Sequence, residues 1–231
     1  MAYINPTRVH LESFLRRAAA SIPEGSVVLD AGSGEGFYRP VFSSHRYEAA
    51  DFCQVTKDYD RKIDYVCDLR NIPVESERFD LVICTQVLEH IPEPKAVLAE
   101  LLRVLKPGGA LWLSAPLFYE EHEQPYDFYR YTQFGLTYLM TASGFVVEEL
   151  LPLGGYFGAI SHQALQASQN LPRRPELYGG GLRGILAAGI AITMRPMLRR
   201  YASLMSSLDI SHPARSSQLV KVYSVVARKP K

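Results

Sequence analysis

The sequence predicts an α/β fold with a mostly parallel sheet covered on both faces, and three observations carry that prediction. Short, almost wholly apolar runs recur along the chain, as strands buried on both sides require. Between them lie segments whose apolar residues step by three and four, the period of an amphipathic helix. A β-branched run near the start ends in a cluster of glycines, the form of a strand entering a tight turn. At 231 residues, 47% of them hydrophobic and 21% charged, the chain can bury one large core. Strands alternating with helices at this spacing pack as a parallel sheet.

Each element follows from its residues. From Thr7 to Ile22 the stripe Val9, Leu11, Phe14, Leu15, Ala18 and Ala19 predicts an N-terminal helix begun after Pro6. Ser26 to Asp30 is a buried strand that enters the turn of Gly32, Gly34 and Gly36, with a helix after it. Arg46 to Phe52 and Ile63 to Asp68 are short strands, and Phe79 to Thr85 is a stronger one. Pro92 to Leu105 is a helix with the stripe Val97, Leu98, Leu101, Leu102 and Leu105, stopped by Lys106-Pro107-Gly108-Gly109 before a buried strand from Ala110 to Ala115. Thr132 caps a helix that runs to about Ser143 and stops at Gly144; Phe145 to Leu151 and Leu219 to Ala227 are the last two strands. This gives one domain over residues 1–231: an N-terminal helix at 7–22, a core at 23–152 and 217–229, and an insertion or cap at 153–216. The insertion is rich in glycine and arginine.

The formal net charge of +1 hides an asymmetry. Residues 1–150 carry 14 Lys and Arg against 22 Asp and Glu, a net of −8, and residues 151–231 carry 11 against 2, a net of +9. A basic segment of this kind suits anionic lipid, phosphate-bearing substrates or nucleic acid. Its basic residues are not interleaved with aromatic stacking groups, which argues against nucleic acid. Within the insertion, residues 182–205 combine apolar Ile185, Leu186, Ile190, Ile192 and Leu198 with Arg183, Arg195, Arg199 and Arg200, and Pro196 is expected to break them into two helices. Such a segment can cover an acceptor pocket, pack against a second copy in a homodimer, or lie on an anionic membrane. No uninterrupted apolar run reaches the length that spans a bilayer. The first ten residues lack the apolar stretch of a secretory signal, and Cys53, Cys67 and Cys84 lack metal-like spacing. The expectation is a cytoplasmic protein with reduced cysteines, at most peripheral to the inner membrane surface.

The chemistry concentrates in the turn Asp30-Ala31-Gly32-Ser33-Gly34-Glu35-Gly36. Glycines there let the backbone pass close to a ligand. A dinucleotide fingerprint would need a third small residue where Phe37 stands, so NAD is the weaker reading of the cofactor and an NAD-dependent oxidoreductase the weaker reading of the function. The pattern resembles motif I of class I, Rossmann-like S-adenosylmethionine-dependent methyltransferases of the type 11 kind. The resemblance continues through Asp51, Asp68-Leu69, the run Phe79 to Ile91, and Leu102 to Gly109, covering residues 26–152. It implies a three-layer sandwich whose seven-stranded sheet is parallel but for its last strand. By the same resemblance, Asp30, Gly32, Ser33 and Gly34 hold the amino acid end of S-adenosyl-L-methionine, or of its product S-adenosyl-L-homocysteine. Asp51 with Phe52 lies at the ribose, Asp68 with Leu69 at the adenine, and Thr85 and Gln86 follow the fourth strand near the methyl group.

Methyl transfer needs alignment and, for a hydroxyl acceptor, a base. The segment Tyr119 to Thr132 is dense in titratable and aromatic groups; His122 is the first candidate base and Asp127 the second, unless Asp127 pairs with Arg130 to fix the loop. Some methyltransferases with a similar Glu-His hold a divalent ion there, but Gln86 stands in place of a further carboxylate, and Glu89-His90 is read without a metal. The acceptor is expected to be a hydroxyl on a small molecule, a sugar or a lipid-linked glycan. The remaining alternative is a cofactor-binding scaffold that acts through its basic part.

Overall fold

The computed structural model describes residues 3–53, 63–212 and 219–231. The predicted ends of the insertion (213–216) and of the second core segment (217–218) lie outside them. The chain divides into two compact units: residues 11–153 with 222–231, and residues 1–10 with 154–221.

The first unit is built on a seven-stranded sheet of β1 (Val27–Ala31), β2 (Arg46–Asp51), β3 (Tyr65–Val66), β4 (Phe79–Thr85), β5 (Leu105–Pro116), β6 (Val146–Pro152) and β7 (Val222–Arg228). Their spatial order is β3-β2-β1-β4-β5-β7-β6. The pairs from β3 to β5 are parallel, and β7 runs antiparallel to both of its neighbours. The predicted α/β class and the reversed last strand are thus both present. Residues alternate across each strand. Val28, Leu81, Ile83, Ala110, Trp112 and Val226 meet Phe14, Leu15 and Ala18 of α1 (Pro6–Ala20) on one face. The Phe14 and Trp112 rings lie 4.7 Å apart. The amphipathic α2 (Pro94–Val104) buries Val97, Leu98 and Leu101. Thr132 caps α3 (Gln133–Ala142) by accepting from the Gly135 amide, as its sequence position predicts.

The crossing between β1 and β2 departs from expectation at the level of local structure. After the glycine turn the chain makes a short 3₁₀ turn at Arg39–Phe42 in place of a helix. Nine residues separate Gly36 from the start of β2, and Pro40 denies an amide to any longer ladder there. The predicted third strand contracts to Tyr65–Val66. Lys106-Pro107-Gly108-Gly109 does not separate helix from strand, because β5 already begins at Leu105 and its pairing with β4 slips between Phe79 and Leu81. The glycine pair absorbs that irregularity.

The second unit holds α4 (Tyr156–Asn170), a 3₁₀ turn at Pro175–Tyr178 and α5 (Gly181–Ser211). The expected break at Pro196 does not occur: α5 is one 31-residue helix with the proline inside it. The side chain next to it has a compensating role. Arg195 donates to the carbonyls of Gln169 and Leu171, so a cation satisfies acceptors at the C-terminal end of α4. At the other end of α4, the buried Asp209 accepts from the Gly155 and Gly158 amides at 3.0 and 2.8 Å and meets His10 Nε2 at 2.9 Å. A carboxylate there satisfies orphan donors and the helix dipole together.

Candidate functional site

A cavity of about 360 Å³ opens among residues that follow the carboxyl ends of β1, β2 and β4. Its lining includes Gly32, Gly34, Asp51, Phe52, Asp68, Leu69 and Gln86. Open α/β sheets hold ligands here, because strand ends on either side of the switch in strand order leave a crevice between their loops.

The turn after β1 is shaped by close approach. Gly32 has φ +80°, and a Cβ there would sit 2.4 Å from Val87 Cγ2, so no other residue fits between the two loops. The Gly32 and Ser33 amides both donate to Ala50 O, which ties the turn to β2. Asp51 accepts from Gly34 N at 2.8 Å and from Cys53 N at 2.9 Å, so its carboxylate is fixed where it faces the cavity. Ser33 Oγ is buried with no partner among the described residues.

Asp30, Ser33 and Thr85 are not part of the lining. Asp30 is buried behind the turn and accepts from the Tyr47 hydroxyl. Burial raises its carboxyl pKa to about 7, against which the Tyr47 bond acts. Asp68 borders the cavity with its carboxylate held by Arg70, whose guanidinium also reaches Glu93; the Arg70 hydrogen bonds keep Asp68 below the usual carboxylate range. Of the cysteines, Cys84 is buried, Cys53 and Cys67 are half-buried, and all are free.

The segment at residues 117–132 is fastened over the turn that follows β4. Phe128 and Tyr129 amides donate to Glu89 O, the Tyr131 hydroxyl to Leu88 O, and the Tyr129 hydroxyl to Pro92 O. These bonds bring Glu123, Tyr126 and Phe128 into the cavity wall beside His90, Ile91 and Pro92. Phe52 and Tyr126 meet edge to face at 6.2 Å.

Two imidazoles meet beside this wall, with ring centroids 4.6 Å apart; His90 is part of the lining, and His122 and Asp127 are not. His90 Nδ1 lies 2.6 Å from Tyr126 O, so that nitrogen carries the proton and Nε2 is the basic one. Burial lowers the His90 pKa, which favours the neutral ring. His122 Nδ1 lies 3.1 Å from Glu120 O and 3.5 Å from Asp127 Oδ2, which likewise leaves Nε2 as the basic nitrogen. Asp127 itself is clasped by both terminal nitrogens of Arg130, at 2.6 and 2.8 Å, and accepts from the His122 amide. These bonds hold it far below the usual carboxylate range. As a base it is therefore weak, and the geometry makes it the group that positions His122.

Sequence reasoning passed over Glu89 as a site group. Its side chain is fully buried, both carboxylate oxygens lack hydrogen-bond partners among the described residues, and burial raises its pKa to about 8. Ligand atoms of Glu89, His90 and His122 lie within 4.8 Å of one another. In sequence His122 stands only as a distant further ligand to the Glu-His pair; its approach depends on how the 117–132 segment folds back.

Residues 29–113 match the family model described as a methyltransferase domain. The ubiquinone biosynthesis O-methyltransferase of Coxiella burnetii is 27% identical over 199 residues, 81% of this chain and 73% of that one. The solved 1,6-didemethyltoxoflavin-N1-methyltransferase of Burkholderia thailandensis, with bound 1,6-didemethyltoxoflavin and S-adenosylhomocysteine, superposes with a TM-score of 0.54 at 18% identity. The match covers 95% of this chain and 80% of that one. A phosphoethanolamine N-methyltransferase of Haemonchus contortus with S-adenosyl-L-methionine gives a TM-score of 0.58 at 18% identity, over 97% of this chain and 53% of that one.

Proposed function

Because this chain is a class I, S-adenosylmethionine-dependent methyltransferase, we propose that it methylates a hydroxyl oxygen of a small acceptor, with the cofactor seated in the cavity beside β1, β2 and β4. The residues fit that group. The cavity has a polar side at Asp51 and Asp68, for hydroxyl and amino donors, and an apolar side at Phe52, Leu69 and Ile91, for a flat ring. The unpartnered Ser33 Oγ next to Gly32 and Gly34 suits the charged amino acid end. In this reading Asp51 accepts from the ribose hydroxyls, Asp68 from the adenine amino group, and Leu69 and Phe52 flank the rings. Gln86 and Thr85 border the methyl group, and Asp30 acts from behind the turn.

When bound, the cofactor supplies a methyl group on a sulfonium, open to displacement. The chain's own task is to hold the acceptor in line and to take its proton. The observation that carries the choice of a hydroxyl is the imidazole pair, because a neutral hydroxyl, unlike an amine, gains most from a base in the transition state. The hydroxyl proton passes to Nε2 of His122, Asp127 keeps that ring in the right tautomer, and the acceptor oxygen receives the methyl group. The relative from Coxiella burnetii, named as an O-methyltransferase, supports the same choice. A sugar or a lipid-linked glycan remains within this class of acceptor.

The three-ligand cluster favours a second reading, in which Glu89, His90 and His122 hold a divalent ion that acidifies the acceptor hydroxyl. Activity that survives dialysis against a chelator supports the base; activity lost and restored by added metal supports the ion.

The first test is calorimetric titration with S-adenosylhomocysteine, with NAD as control. Selective binding of the former is expected, weakened by about 1–3 kcal/mol in Asp51→Ala. Binding of NAD alone would revive the oxidoreductase, and binding of neither would favour a scaffold. With a catechol as probe acceptor, His122→Ala is expected to lower kcat by roughly 100- to 10,000-fold while cofactor affinity holds.

A further inference from the structure

The second unit contains a helix whose faces are reversed. A helix on a soluble protein ordinarily buries its large apolar residues and exposes polar ones. In α5 the buried line is Gly184, Ala188, Ala191, Ala202, Ser203 and Ser206, with Met205 and Asp209 near its end. The close side is made of small residues: a Cβ on Gly184 would lie 2.5 Å from Pro175 O. Facing it, α4 buries Gly158, Ala159, Ser161, His162, Ala164 and Ser168. The large side chains are left outside. Leu182, Ile185, Leu186, Ile190, Ile192 and Met194 are all exposed, Leu182 at 74% and Ile190 at 62%, and Met197, Tyr201 and Leu204 extend the apolar face along the helix.

Charge sets the rest of the pattern. Between Arg183 and Arg195 no residue is ionisable, and Arg199 and Arg200 follow, both exposed. The one acid of α5, Asp209, is buried against His10 and the start of α4. The exposed surface of this helix therefore offers apolar groups and positive charge, with no negative charge.

We propose that α5 docks the protein on an anionic lipid surface, with the apolar side chains of residues 184–194 sunk among the acyl chains and the arginines at the headgroups. As a whole the helix is long and apolar enough to cross a membrane. Its charge-free stretch of 11 residues, however, spans only about 16 Å, roughly half the hydrocarbon core of a bilayer. That length suits a helix lying in the interface. A second copy of the chain is the poorer occupant, since a two-fold contact through this face would set arginines against arginines with no acid to offset them. Anionic headgroups supply the missing charge.

Flotation of the full chain with vesicles of phosphatidylcholine, alone or mixed with phosphatidylglycerol, tests this. Capture is expected only by the mixed vesicles and is expected to weaken as ionic strength rises. Arg199→Gln with Arg200→Gln should lower the partition coefficient on the order of 30-fold, and Leu186→Glu with Ile190→Glu should abolish capture. Arg195 is left alone because it holds the end of α4. Unchanged S-adenosylhomocysteine affinity and far-ultraviolet dichroism show that each variant is folded; should the glutamate pair fail to fold, the arginine pair decides. No capture, or equal capture by both vesicles that ignores the arginine change, overturns the proposal. So does a dimer in light scattering that the glutamate pair dissolves while vesicles capture nothing.

Discussion

At the scale of single residues, the turn after β1 is a fit between a backbone and a side chain. Gly32 meets Val87 so closely that a methyl group must overlap it, and its φ of +80° penalises any side chain as well. Gly32→Ala should therefore abolish measurable S-adenosylhomocysteine binding. Adding Val87→Ala should restore part of it, since contact and not strain alone is at fault; a double variant no better than the single one would assign the loss to φ. Asp30, behind that turn, makes stability depend on pH. Its folded pKa of about 7 lies above the ordinary value of 3.8 because the site is dry. Folding thus takes up a proton between these values. The stabilisation is complete below about pH 3.8 and is lost as pH rises through about 7. Asp30→Asn keeps an acceptor for Tyr47 and does not titrate. Urea unfolding should show wild type losing a few kcal/mol relative to this variant between about pH 4 and 8, and parallel curves would show that Asp30 is ionised throughout. The sequence identified the turn and its acids from residue type and spacing. It could not tell Asp51, which faces the cavity, from Asp30, which does not, because depth behind a turn leaves no mark on spacing. The pairing of Asp127 with Arg130, by contrast, was legible as the alternative to a base role, because the two lie three residues apart, and the structure forms it.

At the scale of elements, legibility follows how completely local residues decide the outcome. Phe79–Thr85 was read to the residue because a buried run bounded by charged and polar neighbours has one way to pack. Helix α3 was read because Thr132 and Gly144 mark its ends. The errors fall where tertiary context overrides the local signal: β5 starts at Leu105 through residues that look like a loop, since Phe79 of β4 pairs with Leu105 and Lys229, just past β7, bonds the backbone of Gly108 and Gly109. Helix α5 passes through Pro196 because its packing on α4 and the Arg195 clamp outweigh one missing hydrogen bond. Pro196 is exposed, so Pro196→Ala removes an interior helix penalty of about 3 kcal/mol without opening a cavity. Stability measured by denaturant should rise, by less than this full amount because alanine also frees the unfolded chain. A fall would mean that the proline ring itself holds the helix in place.

At the scale of the whole molecule, composition already separated an acidic region from a basic one, and the structure assigns them to different units: the cavity lies wholly within residues 11–153 with 222–231, and α5 lies in the other. A ligand that binds only the folded cavity stabilises the unit that contains it by mass action. The chain has a single tryptophan, and Trp112 sits in the core of that same unit against Phe14, so its fluorescence reports on the unfolding of the cavity-bearing unit. With S-adenosylhomocysteine at 100 times its Kd, the gain is about 2.7 kcal/mol. For a unit of this size the Trp112 midpoint should rise by roughly 5–10 °C, and NAD at the same concentration should not move it. Far-ultraviolet dichroism is weighted toward the long helices of the second unit. If its midpoint rises in step with that of Trp112, the two units unfold together. If part of the dichroism change stays at the ligand-free temperature, the second unit unfolds on its own, and α5 can then be altered without cost to the cavity. A Trp112 midpoint that S-adenosylhomocysteine leaves unmoved would remove the cofactor from this cavity, and with it the roles given to Asp51 and Asp68.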